Sequence, residues 1–275
     1  MKVQKMQILD QDGKVVEEWV SKKEPHVVYA LEPGEYVLHE EQAPTEQGYV
    51  RAEDVKFVVE ETVDVQKVKM EDDHTKVSIS KTDITDGKEI EGAKLQILDQ
   101  DGEVVESWTT GEEHLIEYLP VGTYTLHEEA AVDGYIVAND VEFTVEETGE
   151  IQKVKMEDER AMGQLVIVKT DTDSKAALEG VEFVLLEKET GEEVGRLKTG
   201  KDGKAVSELL PIGTYENGVF KEPITYVLKE TATLKGYEKT EEEWEIVFTY
   251  QNDKTPVIEV VKEIQNKKYQ KHQVP

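Results

Sequence analysis

The sequence predicts an all-β protein, a row of small antiparallel β-sandwiches. Three observations support that expectation. Short segments rich in Val, Ile, Thr and Tyr alternate with polar residues, which is the period of a half-buried strand. Asp12-Gly13, Asp86-Gly87, Asp101-Gly102 and Asp202-Gly203 are turn dipeptides that break these segments. A unit of roughly 85–90 residues recurs along the chain. No sustained helical period competes with this reading.

The repeats justify the units in order. KMQILDQD at 5–12 returns as KLQILDQD at 94–101, YVLHEE at 36–41 as YTLHEE at 124–129, and QKVKMED occurs at 66–72 and 152–158. A third, diverged copy carries VIVKTD at 166–171 against SISKTD at 78–83, PIGTY at 211–215 against PVGTY at 120–124, and YVLKET at 226–231. The expected domains are therefore 1–75, 76–160 and 161–275. Domain one has only MKVQ before its KMQILDQD, so its opening strand is expected to be missing from this chain. Domain three carries an insertion, ENGVFKEPIT at 216–225, and a short basic tail, NKKYQKHQ at 266–273, expected to be a linker stump.

Composition narrows the function. The 275 residues hold 32 Lys+Arg against 61 Asp+Glu, a net charge of −29, which opposes binding to nucleic-acid phosphates or to an anionic membrane. There is no cysteine, hence no disulfide, thiolate catalysis or Cys-type metal site. No apolar run is long enough to span a bilayer, and the first residues have no signal-peptide core. Nucleophile elbows, phosphate loops and metal-ligand spacings are also missing, so neither cofactor nor metal is expected.

Strand phase sets some charges apart from this acidic exterior. Residues two apart share a face of a strand. Val77 and Ile79 put Lys81 inside, Leu165 and Ile167 put Lys169 inside, and Tyr124 and Leu126 put Glu128 inside. Tyr226 and Leu228 do the same for Glu230, and Tyr36 and Leu38 for Glu40. Val154 and Met156 place Asp158 on the apolar face, Val68 and Met70 place Asp72 there, and Ile264 places Asn266, with Lys262 on that same face. Buried charges need partners or neutralisation. Desolvation favours a neutral amine and a neutral acid. Together those are the reactants of amide formation: the amine attacks an Asp or Asn carbonyl while a protonated Glu polarises it and relays protons. Side-by-side placement supplies the effective molarity, so no cofactor is required.

SISKTD, PVGTYTLHEEAAVDGY and KVKMED resemble the prealbumin-like B-type repeats of Gram-positive surface adhesins and pilins, the Cna B-type or SpaA-type domain. The resemblance covers nearly the whole chain. It implies an immunoglobulin-like Greek-key sandwich in which a first-strand Lys forms an isopeptide bond with a last-strand Asp or Asn, catalysed by the Glu of a Tyr-x-Leu-x-Glu strand. Carried over by position, it implies Lys81 bonded to Asp158 with Glu128 as catalyst, and Lys169 bonded to Asn266 with Glu230 as catalyst. Glu40 and Asp72 form an orphan site in domain one, with no lysine on a matching first strand. The implied protein is a cell-wall-attached, extracellular stalk segment that crosslinks itself once per site and is not an enzyme. Its expected partners are neighbouring repeats of the same chain. The alternative is a module that binds a host matrix protein or glycan through the 216–225 loop. Domain one is expected to expose a sheet edge and an apolar groove holding Glu40 and Asp72; the first reading is truncation of a longer repeat protein, and the second is an external Lys-bearing strand that docks there and reacts with Asp72.

Plainer readings stand beside these. Lys81 or Lys169 could end a strand and snorkel to water. A one-residue register slip would exchange Glu128 with Glu129, and Asn266 could simply end a strand. The DQDG and DTDS turns read as Asx turns rather than calcium loops, and His39 and His127 as surface residues. Trp19, Trp108 and Trp244 read as core or interface packing rather than a sugar platform.

Overall fold

In the computed structural model, residues 4–269 are described. The first three residues and the end of the basic tail lie outside the described residues, and so does part of the sequence reading made for each. Domain one holds β1 (Lys5–Leu9), β2 (Val15–Val20), β3 (Gly34–Gln42), β4 (Tyr49–Val50), β5 (Val55–Val59) and β6 (Asp73–His74). Domain two holds β7 (Lys76–Asp83), β8 (Lys94–Leu98), β9 (Val104–Thr109), β10 (His114–Glu117), β11 (Gly122–Ala130), β12 (Tyr135–Ile136), β13 (Val141–Val145) and β14 (Ile151–Arg160). Domain three begins with β15 (Met162–Asp171), β16 (Glu182–Glu187), β17 (Glu193–Lys198), β18 (Lys204–Val206) and β19 (Leu210–Pro211). It continues with β20 (Gly213–Glu216), β21 (Val219–Pro223), β22 (Thr225–Ala232), β23 (Glu243–Val247) and β24 (Val257–Asn266). A single 3-10 turn at Thr45–Gln47 is the only helical element among the described residues.

Domains two and three are each two facing sheets. In domain two the orders are β10-β7-β14-β12 and β13-β11-β8-β9; in domain three, β17-β16-β22-β23 faces a sheet built on β15 with β18, β19 and β24. Most pairs are antiparallel, as expected. The exceptions are first against last strand: β7 runs parallel to β14, and β15 parallel to β24. A chain that enters each sandwich at one end and leaves at the other must run both strands the same way. Alternation is clearest in β15, where every second residue is buried. Val77, Ile79, Leu95, Ile97, Leu126 and Met156 fill the core of domain two. Leu165, Ile167, Phe183, Leu185, Leu228 and Ile264 belong to the larger core of domain three.

Domain one shows one four-stranded sheet, β2-β1-β3-β5, and a small buried cluster of Met6, Ile8 and Leu38. Residues 66–72, identical in sequence to 152–158, form no strand here. An open groove of about 720 Å³ lies beside them, lined by Met6, Trp19, Leu38, Met70 and Asp72 among others.

The connections between units are short. Only Thr75 separates β6 from β7, and only Ala161 separates β14 from β15. The 216–225 insertion, a candidate recognition loop from sequence, contributes to the β20–β21 hairpin, and its tip rests on domain two. A side chain on Gly218 would overlap the Glu89 carbonyl there. Tyr215 donates its hydroxyl to Gly134 O at 2.8 Å, so the hairpin contributes to the junction.

The Asp-rich turns are Asx turns: Asp99 Oδ1 accepts from the amides of Asp101 and Glu103, and Asp171 Oδ1 from those of Asp173 and Ser174. His39 and His127 lie near the surface beside Asp54 and Asp140 at 2.6 and 2.7 Å. Trp244 is buried, and Trp108 stacks on His114. No helix among the described residues is long and apolar enough to cross a membrane.

Candidate functional site

The parallel pairing positions the first two groups of each cluster. Lys81 lies opposite Met156, and Lys169 opposite Ile264. Asp158 and Asn266 each follow two residues later on the same face, within reach of a lysine side chain leaning along the strand. The third group comes from the facing sheet: Glu128 on β11 and Glu230 on β22.

In domain two, Lys81, Glu128 and Asp158 are all buried. Lys81 Nζ lies 3.0 Å from Glu128 Oε2 and in direct contact with Asp158 Oδ1. The Ala138 amide donates to Glu128 Oε2 at 2.6 Å, which fixes that carboxyl. Burial pushes the Asp158 carboxyl up to about 7; nearby Lys81 opposes the rise and Glu128 adds to it. Glu128 Oε1 and Asp158 Oδ2 are buried and make no hydrogen bond among the described residues. A proton on Asp158 removes the excess negative charge of one lysine against two carboxylates. Glu129 is exposed, so strand register selects Glu128.

In domain three, Lys169 is wholly buried, so it does not snorkel. Its Nζ donates to Glu230 Oε2 at 2.8 Å and to Asn266 Oδ1 at 2.6 Å. Asn266 Nδ2 donates in turn to Glu230 Oε1 at 2.7 Å and to Thr233 Oγ1 at 2.7 Å. The carboxylate thus bridges the amine and the amide, and the amide oxygen is aimed at the amine. Burial lowers the Lys169 pKa, with Glu230 opposing. Lys262, which shares the strand face of Asn266, lies half-buried with its ammonium 5.9 Å from the Trp244 ring, and so stays out of the cluster.

Domain one has part of this arrangement. Glu40 is buried and accepts from the Ala52 amide at 2.7 Å, as Glu128 does from Ala138. Asp72 lines the groove and is reached by the Gln4 side-chain amide. Glu40 is not among the groove-lining residues, unlike the sequence expectation. Lys5 pairs with Glu18 and Glu41 on the outside.

One cluster was not singled out from the sequence. Asp83 is buried; it accepts from the Tyr135 hydroxyl at 2.7 Å and from Arg160 Nε at 2.6 Å. Burial works against the Asp83 charge, but Tyr135, the Thr85 amide and Arg160 outweigh it and hold the carboxyl below its usual range. Arg160 also lies over the Tyr215 ring of domain three at 4.1 Å. The signal available was Lys-Thr-Asp, whose Asp recurs as Asp83 and Asp171.

Paired sheets, first and last strands that run parallel, and short joints define the class: tandem prealbumin-like sandwich domains. The chain belongs to the SpaA prealbumin-like fold domain family, whose model matches residues 3–74, 75–160 and 163–264. Among solved structures, the TIE protein of Bacillus anthracis is 26% identical with a TM-score of 0.58, over 98% of this chain and 48% of that one. The chain thus spans about half the length of that structure. The major pilin subunit of Bacillus cereus matches at 16% identity and a TM-score of 0.44, over 97% of this chain and 95% of that one. The minor pilin of Streptococcus agalactiae matches at 20% identity and a TM-score of 0.33, over 73% and 99%. No curated protein sequence matches the chain.

Proposed function

We propose that this chain is a load-bearing segment of an extracellular pilus or adhesin stalk, with domains 1–75, 76–160 and 161–275 in a row. In this reading domains two and three each seal themselves with an amide bond, Lys81 to Asp158 and Lys169 to Asn266. The observation that carries the reading is a buried lysine, in each domain, touching both a last-strand carbonyl group and a glutamate. An ion pair alone gives little reason for that burial, because desolvation cancels most of its attraction.

The chemistry balances without a co-reactant. In domain two the neutral Lys81 amine attacks Asp158 Cγ, forming the C–N bond. Glu128 protonates the carbonyl oxygen, takes a proton from the nitrogen and passes it to the departing hydroxyl; as water leaves, it recovers the proton from the carbonyl oxygen and ends as it began. In domain three Glu230 performs the same transfers and ammonia leaves from Asn266 Nδ2, which it already contacts. Both bonds join the first strand to the last, spanning 77 and 97 residues. Tension applied along the chain then passes through the bridge instead of unzipping the strands between. By analogy with disulfides closing loops of that length, each bond adds about 4–5 kcal/mol in the chain-entropy model.

Intact mass of the denatured chain tests this directly. The expected mass is the sequence mass less one water and one ammonia. Lys81→Ala should restore the water and Lys169→Ala the ammonia. A full sequence mass would overturn the crosslinking reading.

The hairpin at 213–223 makes contacts within the molecule. We accordingly place the stalk reading ahead of a glycan- or matrix-binding role for the 216–225 loop. Partners in the stalk reading are neighbouring domains.

A further inference from the structure

The same device closes all three units. Gly48-Tyr49, Gly134-Tyr135 and Gly236-Tyr237 each begin with a glycine at positive φ, 75°, 89° and 93°. The glycine carbonyl accepts from the amide of the residue leading out of the unit: Thr75 at 2.9 Å, Ala161 at 2.8 Å and Tyr269 at 3.0 Å. The tyrosine pairs with the residue just before it, which is His74, Arg160 or Lys268. That position is basic every time.

The next domain covers the first two copies. A side chain on Gly48 would overlap the backbone of Tyr118, a residue itself held at φ 63°. The His74 ring stacks on Tyr118 at 4.1 Å, and its Nε2 lies 3.0 Å from Glu117 Oε1. A Cβ on Gly134 would sit 2.8 Å from both the Phe220 ring and the Tyr215 hydroxyl, and Arg160 lies over Tyr215. In both joints, then, the basic side chain lies against an aromatic ring of the following domain.

Among the described residues the third copy is open. Gly236 is exposed where Gly48 and Gly134 are buried, and among the described residues nothing lies within 4 Å of its would-be Cβ. Tyr269 is 61% exposed. Lys268 Nζ lies 3.6 Å from Asp171 Oδ2, repeating the Arg160–Asp83 pair, and its side chain is 60% exposed.

We propose that Gly236, Tyr237, Lys268 and Tyr269 form a docking surface for a further domain of this same fold joined behind Tyr269, which lays an aromatic ring over Lys268. The occupant is argued from the two filled copies in the same molecule. A glycine gap admits a close backbone or ring approach, and an aromatic face attracts the exposed ammonium. The proposal does not depend on either amide bond.

The test replaces residues 270–275 with an added domain. A copy of residues 76–160 follows Tyr269 in the phase that Thr75 sets, and a second version carries a copy of residues 162–266 instead. Hydrogen exchange is read at the amides of Gly236, Tyr237 and Tyr269. Docking should slow it by about tenfold or more relative to the unextended chain. Lys268→Glu should reverse most of that slowing when extended and unextended chains that both carry the substitution are compared. A folded added domain with unchanged exchange overturns the proposal. Failure of both copies to fold behind Tyr269 overturns it as well, since the surface would then accept no repeat.

Discussion

Glu128→Gln separates the proposed acid–base role of this residue from its packing. Gln keeps the volume of the side chain and can still accept from the Ala138 amide, which now donates to Glu128 Oε2 at 2.6 Å. It cannot relay a proton between Lys81 and Asp158. Domain two should therefore fold without its amide bond, losing the restraint on a 77-residue loop, about 4.5 kcal/mol in the chain-entropy model. Unfolding entropy near 2.1 cal/mol/K per residue gives a domain of roughly 85 residues about 0.18 kcal/mol/K, so its transition should fall by about 25 °C. Calorimetry reads the shift, and intact mass reads the chemistry: the variant should lose ammonia from domain three but no water. A variant that still loses both would refute the role of Glu128. Loss of the bond without a drop in melting temperature would refute the loop-restraint argument.

Other expectations follow from the same geometry. Asn266→Asp should still condense, now releasing water, and since the Lys–Asn and Lys–Asp products are one amide, the mature variant and wild type should have the same mass. In Asn266→Ala, domain three stays uncrosslinked and Lys169 keeps a lowered pKa from burial. Its folded state then binds fewer protons than the unfolded chain, so domain-three stability should rise with pH as it approaches the ordinary lysine value of about 10.4 in a denaturant titration. A flat profile would contradict a buried, easily neutralised lysine. Arg160→Ala leaves Asp83 with only Tyr135 and backbone donors and removes the cation over Tyr215; domain two should lose about 1–3 kcal/mol, and protease cutting near Ala161 should accelerate.

The sandwiches and both clusters were legible because a period of two is a strong signal. Lys81 two residues beyond Ile79, and Glu128 two beyond Leu126, leave no freedom of face once the strand is granted. Met156, fully buried opposite Lys81, marks the face that Asp158 shares two residues on. Lys262 was ambiguous because phase assigns a face but not a depth; the Trp244 ring supplies a place for its stem. The parallel pairing of first and last strands was not legible, since alternation is the same in either direction. Neither was the junction of Asp83, Tyr135, Arg160 and Tyr215. Those residues lie as much as 132 positions apart, from 83 to 215, and the last of them belongs to the neighbouring domain, so no strand period brings them together.

The single residues at the joints set the geometry of the whole row. Each peptide unit is planar, so a connector of one residue offers two soft dihedral angles and no more. Thr75 and Ala161 are buried, and their amides are hydrogen-bonded to Gly48 and Gly134, which removes most of that remaining freedom. The bearing of each sandwich on the one before it is therefore fixed locally. Built from many such joints, a filament would inherit its pitch from the backbone angles of one residue per repeat. A substitution there would be multiplied along its length into a different helix.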